Sequence, residues 1–164
     1  MTDLRVLSPD DWKLWRRLRL AALAEAPYAF GSRLEDWQGE GDREERWRDR
    51  LSIPGSRNLI AMVDDEPVGM ASGIPGPEFD AAELISMWVA PVGRGLGVGD
   101  RLMRGVEEWA VETGARSLRL TVAPGNSRAI ALYRRNGFEA TGELGDVLAD
   151  GRREIVMAKR IQAR

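Results

Sequence analysis

The run Leu84-Ile85-Ser86-Met87-Trp88-Val89 enters Ala90-Pro91-Val92-Gly93-Arg94-Gly95-Leu96-Gly97-Val98-Gly99-Asp100, and an amphipathic stretch leaves it. No other feature limits the possible folds as much: it reads as a strand, a glycine loop and a helix start. Glycines stand at 93, 95, 97 and 99, so the backbone can take positive φ and approach a bound group without a Cβ in the way. The helix start adds unpaired N–H groups and a partial positive charge, which together hold phosphate without any side chain.

Spacing narrows the kind of phosphate ligand. A dinucleotide loop needs G-x-G-x-x-G, but the sixth residue from Gly93 is Val98, from Gly95 Asp100 and from Gly97 Leu102. A P-loop needs Lys and then Ser or Thr after its last glycine, whereas Gly99 is followed by Asp100 and Arg101. What remains is Arg94-Gly95-Leu96-Gly97-Val98-Gly99, an R-x-x-G-x-G pattern.

The rest of the chain supplies a frame for this loop. Leu4–Leu7 alternates like a strand, and Ser8-Pro9-Asp10-Asp11 leads into a helix whose apolar positions, from Trp12 through Leu14, Trp15, Leu18, Ala21, Ala22 and Ala26, recur at helical spacing until Pro27. The charged segment Arg33 to Arg50, with Trp37, Trp47 and Leu51 as its main apolar anchors, predicts a second helix with loose ends and a solvated face, a substrate contact being the other reading. Asn58–Val63 and Val68–Ile74 form a hairpin around Asp64-Asp65-Glu66-Pro67. Glu83–Val89 is apolar on both faces and belongs in the middle of a sheet. Beyond the glycine loop, Val98, Leu102, Val106, Trp109 and Ala110 make one helical stripe closed by Gly114, and Ser117–Val122 follows as a strand parallel to Glu83–Val89. A helix over Asn126–Arg135 stops at Asn136-Gly137, and Phe138–Leu144 and Arg153–Ile161 read as two strands around Asp150-Gly151. The β-α-β unit from Leu84 to Val122 therefore opens its loop at the carboxyl end of a central strand, where open α/β sheets bind ligands.

Composition excludes several chemistries. With no cysteine and no histidine, there is no disulfide framework, no thiolate nucleophile and no imidazole base, and no metal centre is expected. Proton transfer falls to Asp, Glu, Tyr, Lys, water or backbone. At 164 residues with a net charge of −2, a single domain spanning 1–164 with no nucleic-acid partner is expected. No apolar run has membrane length and residues 1–12 lack a signal-peptide pattern, so a cytoplasmic protein without membrane partner is expected. A monomer and a homodimer are both open.

The second motif is Asn126-Ser127-Arg128-Ala129-Ile130-Ala131-Leu132-Tyr133-Arg134-Arg135-Asn136-Gly137-Phe138. It resembles the N-x-x-A-I-x-L-Y-x-x-x-G-F signature of the GCN5-related N-acetyltransferases (GNAT), and R-x-x-G-x-G resembles their pyrophosphate loop. The two motifs stand in the family's order and separation, and Glu25-Ala26-Pro27-Tyr28-Ala29-Phe30-Gly31-Ser32 looks like the opening of many bacterial members. The resemblance implies an α/β (α+β) fold, a mixed six- to seven-stranded sheet with helices on both faces and a central β-α-β acetyl-CoA site. It implies an acetyl-CoA-dependent N-acetyltransferase acting on a small-molecule or peptide amine, whose acceptor is shaped by Pro27 to Gln38, Ile74 to Asp80 and Glu143 to Arg152. A non-catalytic acyl-CoA-binding sensor is the rival reading.

By this resemblance the amides of Gly95, Leu96, Gly97, Val98 and Gly99 hold the pyrophosphate of acetyl-CoA with Arg94 at the rim, and the backbone around Met87, Trp88 and Val89 pairs with the pantetheine arm. Asn126 contacts that arm, an N-cap being its purely structural reading, and Tyr133 is the general acid, a core tyrosine being its structural reading. Glu83, where several members carry a catalytic glutamate, is the candidate base. Strand parity puts it on the face of Ile85, Met87 and Val89.

Overall fold

The computed structural model describes residues 2–29 and 33–161, without the side chain of Tyr28; Phe30, Gly31 and Ser32 of the opening motif lie outside the described residues. One seven-stranded sheet runs through the molecule in the order β1-β2-β3-β4-β5-β7-β6. Its strands are β1 (Thr2–Leu7), β2 (Arg57–Val63), β3 (Glu66–Pro75), β4 (Ala81–Val89), β5 (Ser117–Val122), β6 (Glu139–Val147) and β7 (Arg153–Arg160). The helices are α1 (Trp12–Glu25), α2 (Glu44–Arg50), α3 (Val98–Glu112) and α4 (Ser127–Arg135). This is the mixed α/β architecture expected from the motifs, with β4 at the centre.

The sheet divides two apolar cores. On one face Trp15, Leu18 and Ala22 of α1 and Trp47 of α2 pack on Ile60, Met70 and Trp88. On the other, Leu102, Val106 and Trp109 of α3 pack on Leu59, Ala71 and Leu84. α3 lies close because Gly73 of β3 has no side chain: a Cβ there would stand 2.3 Å from the Trp109 ring.

The segment Arg33–Arg50 departs from the expected helix. Only Glu44–Arg50 is α-helical, preceded by single 3-10 turns at Leu34–Trp37 and Gly39–Gly41. Gly39 takes φ +58°, outside the helical region, which interrupts the helix there, and the turn that follows needs glycine at 41, where a Cβ would fall 2.0 Å from the Asp36 carbonyl oxygen.

The break that matters is between β4 and β5. They pair in parallel only from Ala81↔Ser117 to Glu83↔Arg119. Beyond that β4 stays with β3 as far as Val89, and β5 stays with β7 as far as Val122. Each half of the sheet follows its own partner, and the sheet splits. β7 lies inside β6, next to β5; its Val156 and Met157 are buried, whereas Leu144 and Val147 of the edge strand β6 are exposed.

A bulge sharpens the split. The β3–β4 register shifts between Met70↔Trp88 and Ser72↔Ile85, and Ser86 has φ 56°. One extra residue reverses strand parity. Glu83 and Ile85 therefore share the face of Ser72, while Met87 and Val89 pack with Leu84 against the α3 core. The parity expected for Glu83 holds with Ile85 but fails with Met87 and Val89, because plain alternation does not see the bulge.

Candidate active site

Between β4 and α3 the chain turns through Pro91–Gly93. Gly95 and Gly97 then take φ of +80° and +78°, and nothing stands within 4 Å of where their Cβ atoms would be. An L side chain would be strained at both, and the backbone there faces open space. The first backbone bond into α3 is from Arg101 N–H to the Gly97 carbonyl, and among the described residues the amides of 95–99 have no backbone acceptor. These are the orphan donors of a helix start, with the positive end of a fifteen-residue helix behind them.

A groove of about 700 Å³ runs past this loop. Met87, Trp88, Val89, Arg94, Gly95, Gly97, Val98, Gly99, Asn126 and Tyr133 all line it, so ten of the predicted residues come together here; Leu96 does not line it and its side chain is exposed. Arg128 and Arg135 of α4 add positive charge to its wall. Asp100, the one acid lining it among the described residues, is engaged by Arg135 Nε at 3.1 Å, Arg135 Nη2 at 3.0 Å and Asn136 Nδ2 at 2.9 Å. The Arg135 hydrogen bonds, offset in part by burial, hold its carboxyl below the usual range. Arg94 is less free than expected at the rim: its Nη2 donates to Glu25 Oε1 at 2.9 Å and its Nε to the Val89 carbonyl at 3.1 Å, while Trp88 Nε1 donates to Glu25 Oε2 at 2.9 Å. Burial pushes the Glu25 carboxyl up, but the Trp88 and Arg94 hydrogen bonds outweigh it and the net shift is downward.

Asn126 caps α4, its Oδ1 accepting from Ala129 N–H at 3.3 Å, while also lining the groove. Seven residues on, two turns, Tyr133 lies on the same side. It is 5% exposed and packs on Phe138, with ring centroids 6.1 Å apart. Burial raises its pKa above the ordinary phenol value, and its hydroxyl has no hydrogen-bond partner among the described residues. The structural readings of both residues hold, and both still face the groove.

A second cavity, about 300 Å³, opens on the α1/α2 side of the split sheet. Trp15, Arg19, Trp37, Trp47 and Arg50 line one side, Ile85, Ser86, Thr121 and Glu154 another. It shares Met87, Asn126 and Tyr133 with the groove. A third space of about 300 Å³ holds Glu83 together with Glu78, Arg119 and Glu143. It shares Leu84, Ile85 and Thr121 with the second cavity, which Glu83 itself does not line.

Residues 15–138 match the model of the acetyltransferase (GNAT) family. The chain belongs to the GNAT acetyltransferase family. An aminoglycoside N(6')-acetyltransferase type 1 of Stenotrophomonas maltophilia is 27% identical over 145 residues, 84% of this chain and 86% of that protein. An IAA acetyltransferase of Azospirillum brasilense is 33% identical over 95 residues, 58% of this chain; the match spans 62% of that relative's length. Among solved structures, a PaiA N-acetyltransferase of Thermoplasma acidophilum in complex with coenzyme A superposes with a TM-score of 0.74 at 20% identity, over 98% of this chain and 99% of that one. The enzyme class of this GNAT member is that of the N-acetyltransferases, and acetyl-CoA is the family's cosubstrate.

What sequence reading did not place in this GNAT chain is the α1 wall of the cavity, and it gave the α2 wall only as the second reading of Arg33–Arg50. The available signal is helical spacing: Trp15 and Arg19 are four apart on α1, Trp47 and Arg50 three apart on α2. Each pair shares a helix face.

Proposed function

We propose that the protein transfers an acetyl group from acetyl-CoA to the primary amine of a small or peptide acceptor, by direct attack with both substrates bound. One observation carries this reading: the groove beside the glycine loop and the cavity walled by arginine and tryptophan share Met87, Asn126 and Tyr133. The unpaired amides of 95–99, the left-handed Gly95 and Gly97 and the arginines of α4 suit a pyrophosphate, and the coenzyme A complex of the Thermoplasma acidophilum relative supports the same cosubstrate. The relatives' names point to different acceptors, so they support the reaction and not its substrate.

Acetyl-CoA supplies an acetyl thioester, activated toward amines. The loop amides hold its pyrophosphate, and backbone around Met87, Trp88 and Val89 receives the pantetheine arm. Asn126 orients that arm while capping α4. As the amine nitrogen bonds to the acetyl carbon and the carbon–sulfur bond breaks, Tyr133 Oη gives its proton to the departing sulfur. Burial of Tyr133 keeps the hydroxyl protonated at neutral pH but makes it a weak donor against a thiol of pKa ~8.5, so transfer must accompany bond breaking. Glu83, on the face of Ile85, takes the proton that the amine loses, through water between the adjoining cavities.

Two measurements test this. A hundredfold excess of acetyl-CoA over its Kd should add about 2.7 kcal/mol and raise Tm by about 5–10 °C, with NADH and ATP as controls. Thiol release from acetyl-CoA over an amine panel then reads turnover without protein background, because the chain has no cysteine. No Tm shift refutes the cosubstrate; a shift with no amine-dependent thiol release refutes the enzyme and favours a binding module.

A further inference from the structure

Among the described residues, one carboxylate lines the acetyl-CoA groove and one lines the cavity on the α1/α2 side, and they differ in their partners. Asp100, in the groove, is engaged by Arg135 and Asn136. Glu154, in the cavity, makes no hydrogen bond and no ion pair among the described residues, so both its oxygens are open as acceptors. Strand pairing puts it there. Ile155 of β7 pairs with Val122, the last residue of β5, and Glu154 therefore stands one position beyond the end of that strand, where the sheet has split. Ile155 and Met157 pack into the α3 core, and alternation turns Glu154 and Val156 to the other face. There Glu154, half-buried, lines the cavity with Thr121, Asn126 and Tyr133. Gly145 of β6 leaves it room: a Cβ at 145 would stand 3.1 Å from the Glu154 Cβ and 3.3 Å from Thr121 Cγ2. The helix side of the cavity carries the opposite charge, from Arg19 and Arg50. Arg50 donates to Asn58 Oδ1 at 3.0 Å, Ser72 Oγ at 3.1 Å and Ser86 Oγ at 2.9 Å, neutral oxygens that leave its charge in place.

We infer that Glu154 seats the acceptor: the amine enters this cavity as its ammonium ion and donates to the Glu154 carboxylate on the strand side, rather than resting against Arg50. This rests on the acetyl-transfer reading above. An aliphatic primary amine, with a pKa of about 10 like that of Lys, is almost wholly ammonium at neutral pH. It brings three N–H donors, and hydrogen bonds from an ammonium to a carboxylate are about twice as strong as neutral ones. The guanidinium of Arg50 repels the same ion, so the two walls together fix which end of the cavity the nitrogen takes. When one ammonium proton leaves through water toward Glu83, the two N–H bonds that remain still donate to Glu154, and the lone pair is released for attack on the acetyl carbon. Glu154 thus acts in binding and Glu83 in proton removal, which gives them different kinetic signatures.

The test is steady-state thiol release with each substrate varied, using an amine that the wild-type protein acetylates. Glu154→Gln should raise the KM of the amine about tenfold or more, change kcat less than about threefold and leave the KM and Tm shift of acetyl-CoA as they are. Glu154→Asp should recover part of the amine affinity. A second measurement uses two dead-end analogues of the same amine: its N,N-dimethyl derivative, a cation with one N–H, and the neutral compound with isopropyl in place of dimethylammonium. The cation should compete with the amine in the wild-type protein at least about tenfold better than the neutral isostere, and Glu154→Gln should erase that difference. An unchanged amine KM in Glu154→Gln, or equal inhibition of the wild-type protein by cation and isostere, overturns the inference. Should Glu154→Gln fail to fold, the wild-type comparison of cation and isostere still decides. A protein that binds no acetyl-CoA, or acetylates no amine, refutes the acetyl-transfer reading itself and the inference with it; the Tm shift and the amine panel report those failures separately.

Discussion

Asp42 holds Trp47 in the wall of the cavity on the α1/α2 side, and replacing it by Asn gives a stability change whose size and pH dependence follow from its contacts. Its Oδ1 accepts from Arg16 Nε at 2.8 Å and from Trp47 Nε1 at 2.7 Å. The hydrogen bonds from Arg16 first and Trp47 second hold its carboxyl down at about 2, against an ordinary 3.8. Taken at full value that difference is worth about 2.5 kcal/mol. The Arg16 and Asp42 side chains are 39% and 27% exposed, so solvent screening reduces the expected loss to about 1 kcal/mol. Asn can keep the Trp47 bond through its carbonyl oxygen, and the loss falls on the Arg16 pair. In a domain of this size Asp42→Asn should therefore lower Tm by about 2–4 °C at pH 7. The folded value lies below the unfolded one, so the contribution is fully present above about pH 5, falls to about half at pH 3 and vanishes below about pH 2. Urea titrations of wild type and variant at pH 7, 5, 4 and 3, with Arg16→Gln to close a double-mutant cycle, measure it. A gap between wild type and variant that is absent at pH 7, or does not shrink by pH 3, refutes the assignment.

Further outcomes follow from the site and the core. Tyr133→Phe should lower kcat about a hundredfold or more with little change in acetyl-CoA affinity, measured by thiol release and Tm shift. Because burial raises the Tyr133 pKa, the wild-type rate should show no loss from tyrosinate formation up to about pH 10. Glu83→Gln should lower kcat and leave the acetyl-CoA Tm shift intact; unchanged turnover removes Glu83 from the mechanism. Gly73→Ala places a methyl 2.3 Å from the Trp109 ring, and overpacking of about 2 kcal/mol should lower Tm by about 4–8 °C.

The parts of the fold that sequence makes legible are those whose residues act locally. Strand, glycine loop and α3 follow one another without a gap, and the Asn126 cap and Tyr133 lie on one short helix, so spacing alone puts them together. The β6–β7 order is not local. Both arms of the Asp150-Gly151 turn read as strands, and only the richer apolar run Ile155-Val156-Met157 hints that β7 is the inner one. The helix expected with loose ends in Arg33–Arg50 is confined to Glu44–Arg50 for a local reason that was readable: Gly39 and Gly41 both stand in the segment before it.

The bulge at Ser86 was not readable, and it decides more of the site than any motif. Leu84 to Val89 is apolar on both faces and holds no proline or glycine to mark an irregularity. The extra residue is stabilised from elsewhere: Arg50 of α2 donates to Ser86 Oγ and also to Ser72 Oγ on β3, across the register shift. The same guanidinium thus ties the two strands at their irregular point and lines the cavity on the α1/α2 side. Without the bulge, Met87 would stay on the face of Glu83 and Ile85; with it, Met87 turns toward the α3 core and lines both the groove and the cavity. The position where acetyl-CoA and acceptor are proposed to meet therefore depends on a charge that composition assigns to a solvated helix. Its two helical pairs, Trp15 with Arg19 and Trp47 with Arg50, become a binding wall only once α1 and α2 lie on the same face of a split sheet.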